Sequence, residues 1–168
     1  SKLVGDGLIT SIKGIALGIL TADCAPIIFF DYKKNIIGAA HVGWRGAYKN
    51  IVKSMIKQFK NRGSKLNDLN VVIGPCISQN SYEIKEDFKK KFLNQDLANK
   101  KHFKQKKNKI YFDLRGYIFQ QLKKNAIKNI EIIKKDTFYP KNNFFSARRC
   151  LKNKINDYGR NISIIMIK

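Results

Sequence analysis

With 43% apolar and 11% aromatic residues, a chain of 168 residues can bury an ordinary core as one domain, residues 1–168, which excludes the disordered, collagenous and small disulfide-stapled classes. A count of 34 Lys and Arg against 12 Asp and Glu gives a net charge of +22, so weak polyanion binding at low salt is expected. The lysines are spread through a background rich in Asn and Ile, which reads as compositional drift rather than a dedicated nucleic-acid surface.

No apolar run approaches membrane-spanning length and no leader-like segment opens the chain, so no membrane association is expected. Three scattered cysteines, Cys24, Cys76 and Cys150, form no CxxC; reduced thiols and a cytoplasmic location follow as expectations.

In chain order, Leu8–Thr10 and Gly14–Leu20 read as two strands joined by a turn. Ile27–Phe30 is a third, apolar strand, Asp31–Asn35 a polar turn, and Ile36–His41 a fourth, short and buried. Over residues 47–60 the period changes: Ile51, Val52, Met55, Ile56 and Phe59 fall at helical spacing between lysines, and Gly63 supplies the stop. Val71–Ile73 is a strand, Ser81–Leu93 a helix, and the Lys-rich stretch 99–109 an exposed loop. Tyr111–Leu114 enters a further element, Tyr117–Leu122 is helical, and the β-branched runs Ile130–Ile133 and Ile162–Ile167 are strands. The expected fold is α+β (mixed α/β), with layered mixed β-sheets flanked by helices.

Three clusters mount polar groups at the ends of apolar strands: residues 21–26 (TADCAP), 38–46 (GAAHVGWRG) and 144–149 (FFSARR). Cys24 and His41 are a ligand pair that zinc accepts, at the ends of strands that can converge. Taken singly, a buried cysteine is a small hydrophobe and a strand-end histidine a hydrogen-bonded one; a Cys nucleophile activated by His41, with Asp23 as orienter, is a further possibility. Arg45 precedes a helix start and suits an anion, or an ion pair at that start. Gly43 and Gly46 permit a close backbone approach or only the turn, and Trp44 would stack on a base or fill the core. Ser146, Arg148 and Arg149 are a hydroxyl and two guanidiniums suited to phosphate or ribose, or a solvated basic loop. Gly74–Ile77 and Asp157–Arg160 read as turns at strand ends.

As an ordered set the motifs are far more specific than any one of them. TADCAP at 21–26, GAAHVGWRGA at 38–47, IGPCI at 73–77, SYEI at 81–84, FDL at 112–114, FFSARR at 144–149 and DYGRNIS at 157–163 closely resemble the YfiH/laccase-domain family, from VGDGLIT at 4–10 to the last strand. That family is variously labelled purine nucleoside phosphorylase, polyphenol oxidase or peptidoglycan editing factor. The resemblance implies an α/β fold related in shape to bacterial toxin cysteine hydrolases, and a zinc site of two histidines and one cysteine.

Cys24 and His41 match two of those ligands. The third, a histidine in an upstream Q-V-H-G motif, has no counterpart here, because His102 lies in the Lys-rich stretch; the chain is expected to lack the family's N-terminal segment. Ala147 stands where Tyr is common, and Asp136-Thr137 where some members carry Cys-Thr. The resemblance implies phosphorolysis of adenosine, inosine, guanosine or methylthioadenosine, and deamination of adenosine. Asp23 is the expected proton-transfer group and Arg45 and Arg148 the phosphate holders, assisted by Ser146, with Gly43 and Trp44 lining the substrate site. Two histidines are too few for a multicopper array. An amidase acting on a peptidoglycan precursor is the enzymatic alternative, and a polycationic nucleic-acid-binding domain the non-enzymatic one.

Overall fold

The computed structural model describes residues 5–156 and 158–168. Its elements begin with β1 (Gly7–Thr10), β2 (Ala16–Thr21), β3 (Ala25–Asp31) and β4 (Ile36–Val42), followed by the short helix α1 (Trp44–Tyr48), helix α2 (Ile51–Asn61) and β5 (Asn70–Ile73). Then come β6 (Glu83–Ile84), α3 (Glu86–Gln95), a 3₁₀ segment at Leu97–His102, the strands β7 (Phe103–Lys106) and β8 (Lys109–Phe112), and α4 (Leu114–Lys124). The chain finishes with β9 (Asn129–Ile132), a 3₁₀ turn at Pro140–Asn142, α5 (Ala147–Lys152) and β10 (Asn161–Met166).

A five-stranded sheet in the order β1-β4-β3-β5-β9 organises the molecule, antiparallel except for the parallel β5–β9 pair. Both faces of its central strands are covered. On one side Ile27, Phe29, Ile36, Ala40 and Val42 meet Val52, Met55, Ile56 and Phe59 of α2, together with Leu114, Ile118 and Leu122 of α4. On the other, Ile37 and Ala39 pack with Leu17 and Ile19 of β2 beneath an antiparallel β2–β10 ribbon. This double burial explains why β3 and β4 read as almost unbroken apolar runs. The outward face of the ribbon carries exposed Leu20, Ile162, Ile164 and Met166. Helix α2 lies close against the sheet at Gly38, where a Cβ would stand 2.8 Å from the Phe59 ring.

The mixed α+β class and most elements agree with the sequence reading, and four local features differ. The expected helix over 47–60 is broken: Asn50 takes a left-handed conformation (φ 57°) and its side chain accepts the Lys53 amide at 3.2 Å, capping α2 as a separate helix. The expected helix from Ser81 starts only at Glu86, because Glu83 and Ile84 pair with Tyr111 and Ile110 as β6. The Lys-rich stretch is not a loop. It folds as the 3₁₀ segment followed by the β7–β8 hairpin, with Lys107 at φ 52° in the turn, and the hairpin joins β6 in the three-stranded sheet β6-β8-β7. Helix α5 has no apolar periodicity to announce it, since all of its residues are at least partly exposed.

Candidate active site

Cys24 ends the turn between β2 and β3, and His41 sits one residue from the end of β4, where β3 pairs Pro26 with His41. Next to them, Gly43 lets the backbone approach so closely that no Cβ fits undisturbed: one built there would lie 2.9 Å from Cys24 Sγ, inside contact distance, and 3.8 Å from His41 Cε1. Sulfur and imidazole therefore border the same small volume, as the sequence spacing predicted. Gly43 has φ −80°, so this close approach, and not backbone conformation, is what a side chain would disturb. Burial, reinforced by the charge of Asp23, pushes the Cys24 thiol up to about 11. His41 Nδ1 lies 3.2 Å from Asp6 Oδ1.

Asp23 adopts φ +82°, a conformation few side chains tolerate, and is buried. Its Oδ1 accepts the Thr137 hydroxyl at 2.7 Å, and its Oδ2 accepts the Ser146 hydroxyl at 2.9 Å and the Arg148 amide at 2.6 Å. Its carbonyl accepts the Ile77 amide at 3.0 Å. One residue thus ties the Cys24 turn to three distant segments. The orienting role expected of Asp23 in a Cys–His nucleophile is not what the structure shows: His41 pairs with Asp6, and the Asp23 carboxylate is engaged by other donors.

A cavity of about 350 Å³ opens beside Cys24, walled by Trp44, Ile77, Tyr82, Leu114 and Arg148. A second, shallower one of about 650 Å³ shares Trp44, Tyr82 and Arg148 and extends over Lys85, Phe88 and Lys91. Together they form one cleft large enough for a small organic ligand. Arg148 donates from its guanidinium to the Glu83 carbonyl at 2.6 Å and stacks over Tyr82, its guanidinium carbon 5.3 Å from the ring centre. Burial pushes the Tyr82 hydroxyl up to about 12. Trp44 packs against Phe88 with ring centres 5.3 Å apart.

Other expected site residues are placed differently. Ser146 is fully buried: it donates to Asp23 and caps α5 by accepting the Arg149 amide at 3.1 Å, so it holds the site together and does not face a ligand. Arg149 is a clamp, donating to the carbonyls of Thr137, Phe138 and Phe144. Arg45 lies inside the five-residue α1 and not ahead of a helix; it is exposed, 5.3 Å from the centre of the Trp44 ring, and lines neither cavity. His102 is engaged elsewhere: its Nε2 bonds Gln120 and its ring packs edge-on to Tyr117. Asp157 lies outside the described residues. Tyr82 was singled out in sequence only as part of SYEI; its partly buried aromatic ring between two hydroxyl- and carboxylate-bearing neighbours gave no signal of a cleft wall. Among the described residues no group of three His, Cys, Asp or Glu gathers for a metal. The donor chemistry of Cys24 and His41, a thiol and an imidazole, is of the kind zinc accepts, and the pair would supply two protein ligands.

A family model described as multi-copper polyphenol oxidoreductase laccase matches residues 2–168. The chain is 38% identical over 146 residues to a purine nucleoside phosphorylase of Rickettsia conorii, an alignment covering 86% of this chain and 60% of that protein. It is 33% identical over 93 residues to an adenosine deaminase from an unknown prokaryotic organism, covering 53% of this chain and 36% of the other. Among solved structures, the hypothetical protein YfiH of Bacillus licheniformis superposes with a TM-score of 0.86 at 32% identity, over 97% of this chain and 61% of that one. The chain thus spans about three fifths of the length of the Rickettsia and Bacillus proteins.

Proposed function

Because the chain belongs to the family described as multi-copper polyphenol oxidoreductase laccase, with relatives named purine nucleoside phosphorylase and adenosine deaminase, we propose that its cleft processes purine nucleosides. The observation that carries this reading is the meeting of Cys24 and His41 around Gly43, at the edge of a cavity walled by Trp44, Tyr82 and Arg148. Aromatic and aliphatic walls suit a purine ring, and a guanidinium suits phosphate.

In phosphorolysis a phosphate oxygen forms the bond to C1′ of the ribose as the glycosidic C1′–N9 bond breaks; the bonding pair leaves with the base, which takes up a proton. Arg148 holds the phosphate for that attack, and its own backbone is fixed by Asp23. Arg45 adds positive charge from the outer side of Trp44. In deamination water replaces the amino group at C6 of adenosine, giving inosine and ammonia. Cys24 and His41 are the residues that would hold zinc, whose contribution when bound is Lewis-acid polarisation of a reacting oxygen. Asp23, with one donor on Oδ1 and two on Oδ2, anchors the cleft. The expected proton-transfer role does not suit a group so engaged.

The test is incubation of the intact protein with adenosine or inosine, with and without phosphate, following adenine, hypoxanthine and inosine. Phosphate-dependent release of free base is expected, together with its loss in Cys24→Ala. Base release that survives Cys24→Ala would sink the assignment of the metal pair.

A further inference from the structure

We propose that Asp6 is a positioning residue that fixes the tautomer of His41, committing Nδ1 and leaving the Nε2 lone pair for a metal shared with Cys24. The inference rests on the metal pair put forward above and assigns a role to a residue outside all three strand-end clusters.

Two contacts join Asp6 to His41. The His41 amide donates to the Asp6 carbonyl at 2.7 Å, extending the β1–β4 pairing by one residue. The side chains meet at 3.2 Å between Asp6 Oδ1 and His41 Nδ1. A carboxylate can only accept, so the proton of a neutral imidazole facing it must sit on Nδ1. The other ring nitrogen then carries the lone pair. Meanwhile the ring carbon between the two nitrogens borders the Gly43 space that Cys24 Sγ also borders. Without the carboxylate, a neutral imidazole in water populates both tautomers, and only one offers Nε2 as a ligand.

The arrangement is that of metal-ligating histidines, which give their second N–H to a carboxylate; loss of such a partner typically weakens metal binding by about 10–100-fold. The side chain of Asp6 is 62% exposed, so it contributes little to packing. Its backbone hydrogen bond is independent of its side chain, so substitutions at this position leave the strand pairing in place.

The experiment compares the intact protein with Asp6→Ala and Asp6→Asn. The ¹⁵N shifts of the His41 ring are read in metal-free protein at a pH where imidazole is neutral, and zinc affinity is measured by competition with a chelating dye. The wild type should show protonated Nδ1 and bare Nε2. Asp6→Asn, whose amide oxygen still accepts, should keep that tautomer; Asp6→Ala should show a mixture and bind zinc about 10–100-fold more weakly. An unchanged tautomer in Asp6→Ala overturns the proposal, as does equal zinc loss in both variants with the tautomer unaltered. If the wild type binds no zinc, the metal reading fails by itself, while the ring shifts still decide the role of Asp6.

Discussion

Replacing Asp23 discriminates between a residue that anchors the cleft and one that moves protons. In Asp23→Ala, the Thr137 and Ser146 hydroxyls and the Arg148 amide lose their acceptor in a buried place. Hydrogen bonds to a charged group contribute about 1.5–3 kcal/mol each and are not additive, so roughly 4 kcal/mol is expected for the set. Alanine at φ +82° adds about 1 kcal/mol of backbone strain. About 5 kcal/mol is a third or more of the roughly 5–15 kcal/mol that holds a domain folded.

Asp23→Asn behaves differently. Asparagine tolerates positive φ, its oxygen can take the Ser146 and Arg148 donors, and its amide can donate to Thr137 Oγ1, whose hydroxyl rotates to accept. Only the charge assistance is lost, about 1–2 kcal/mol. Urea unfolding of the three proteins, followed by Trp44 fluorescence, measures both numbers. The anchor role is refuted if Asp23→Ala costs less than about 1.5 kcal/mol. It is equally refuted if Asp23→Asn, folded and stable, loses nucleoside turnover by several orders of magnitude, since that is the signature of a proton carrier.

Gly43→Ala puts a methyl into the space between Cys24 Sγ and His41 Cε1. Although φ is −80°, the methyl would overlap Cys24 Sγ, so the sulfur must shift; a cost of about 1–3 kcal/mol is expected while zinc stoichiometry in the purified protein falls, and full zinc content would show that the metal binds elsewhere. Asp136 provides a pH test. Burial opposes its ionisation, but the Ser81 and Ser78 hydroxyls and the Ser78 and Phe138 amides outweigh burial and hold the carboxyl below its ordinary 3.8. A depressed folded value means that its stabilisation is present above 3.8 and is lost as pH falls through the lower folded value. The stability gap between wild type and Asp136→Asn, from urea midpoints at stepped pH, should therefore be constant near neutrality and shrink in acid. A gap that widens there contradicts the assigned hydrogen bonds.

The central strands were legible as the apolar runs Ile27–Phe30 and Ile36–His41, and the unbroken apolarity is explained by sheet faces that are both covered. Helix α2 was legible from its buried Val52, Met55, Ile56 and Phe59. What sequence missed lies where partners are distant. Glu83 and Ile84 look like the opening of a helix until β8 pairs with them, an interaction more than 25 residues away. The hairpin at 103–112 was hidden because lysines dominate its exposed positions, while Phe103 and Phe112 anchor it against Phe88 and Phe92. At the site, strand-end spacing made Cys24 and His41 no more than a candidate pair, and the ordered motifs singled them out; in the fold both stand beside Gly43. Ser146 was misread as a ligand contact, since a hydroxyl used for an N-cap and one used for phosphate look alike in sequence.

The cleft has two halves of different origin, and this decides which variants should affect which ligand. Cys24 and His41 stand at the ends of β3 and β4, whose faces are both packed, so their relative position is fixed by the most deeply buried part of the fold. Arg148 sits on α5, a helix with no buried residue, and is held to the sheet through Asp23, the Ser146 cap and the Glu83 carbonyl. A polar network of this kind can open locally at a lower free energy than the sheet. Asp23→Ala, which leaves the Arg148 amide without its acceptor, should therefore release Arg148, and with it phosphate, before it disturbs the Cys24–His41 pair. Gly43→Ala should do the reverse, displacing zinc while leaving Arg148 docked. If both variants removed both ligands in equal measure, the two halves would be one cooperative unit, and the division drawn from their packing would be wrong.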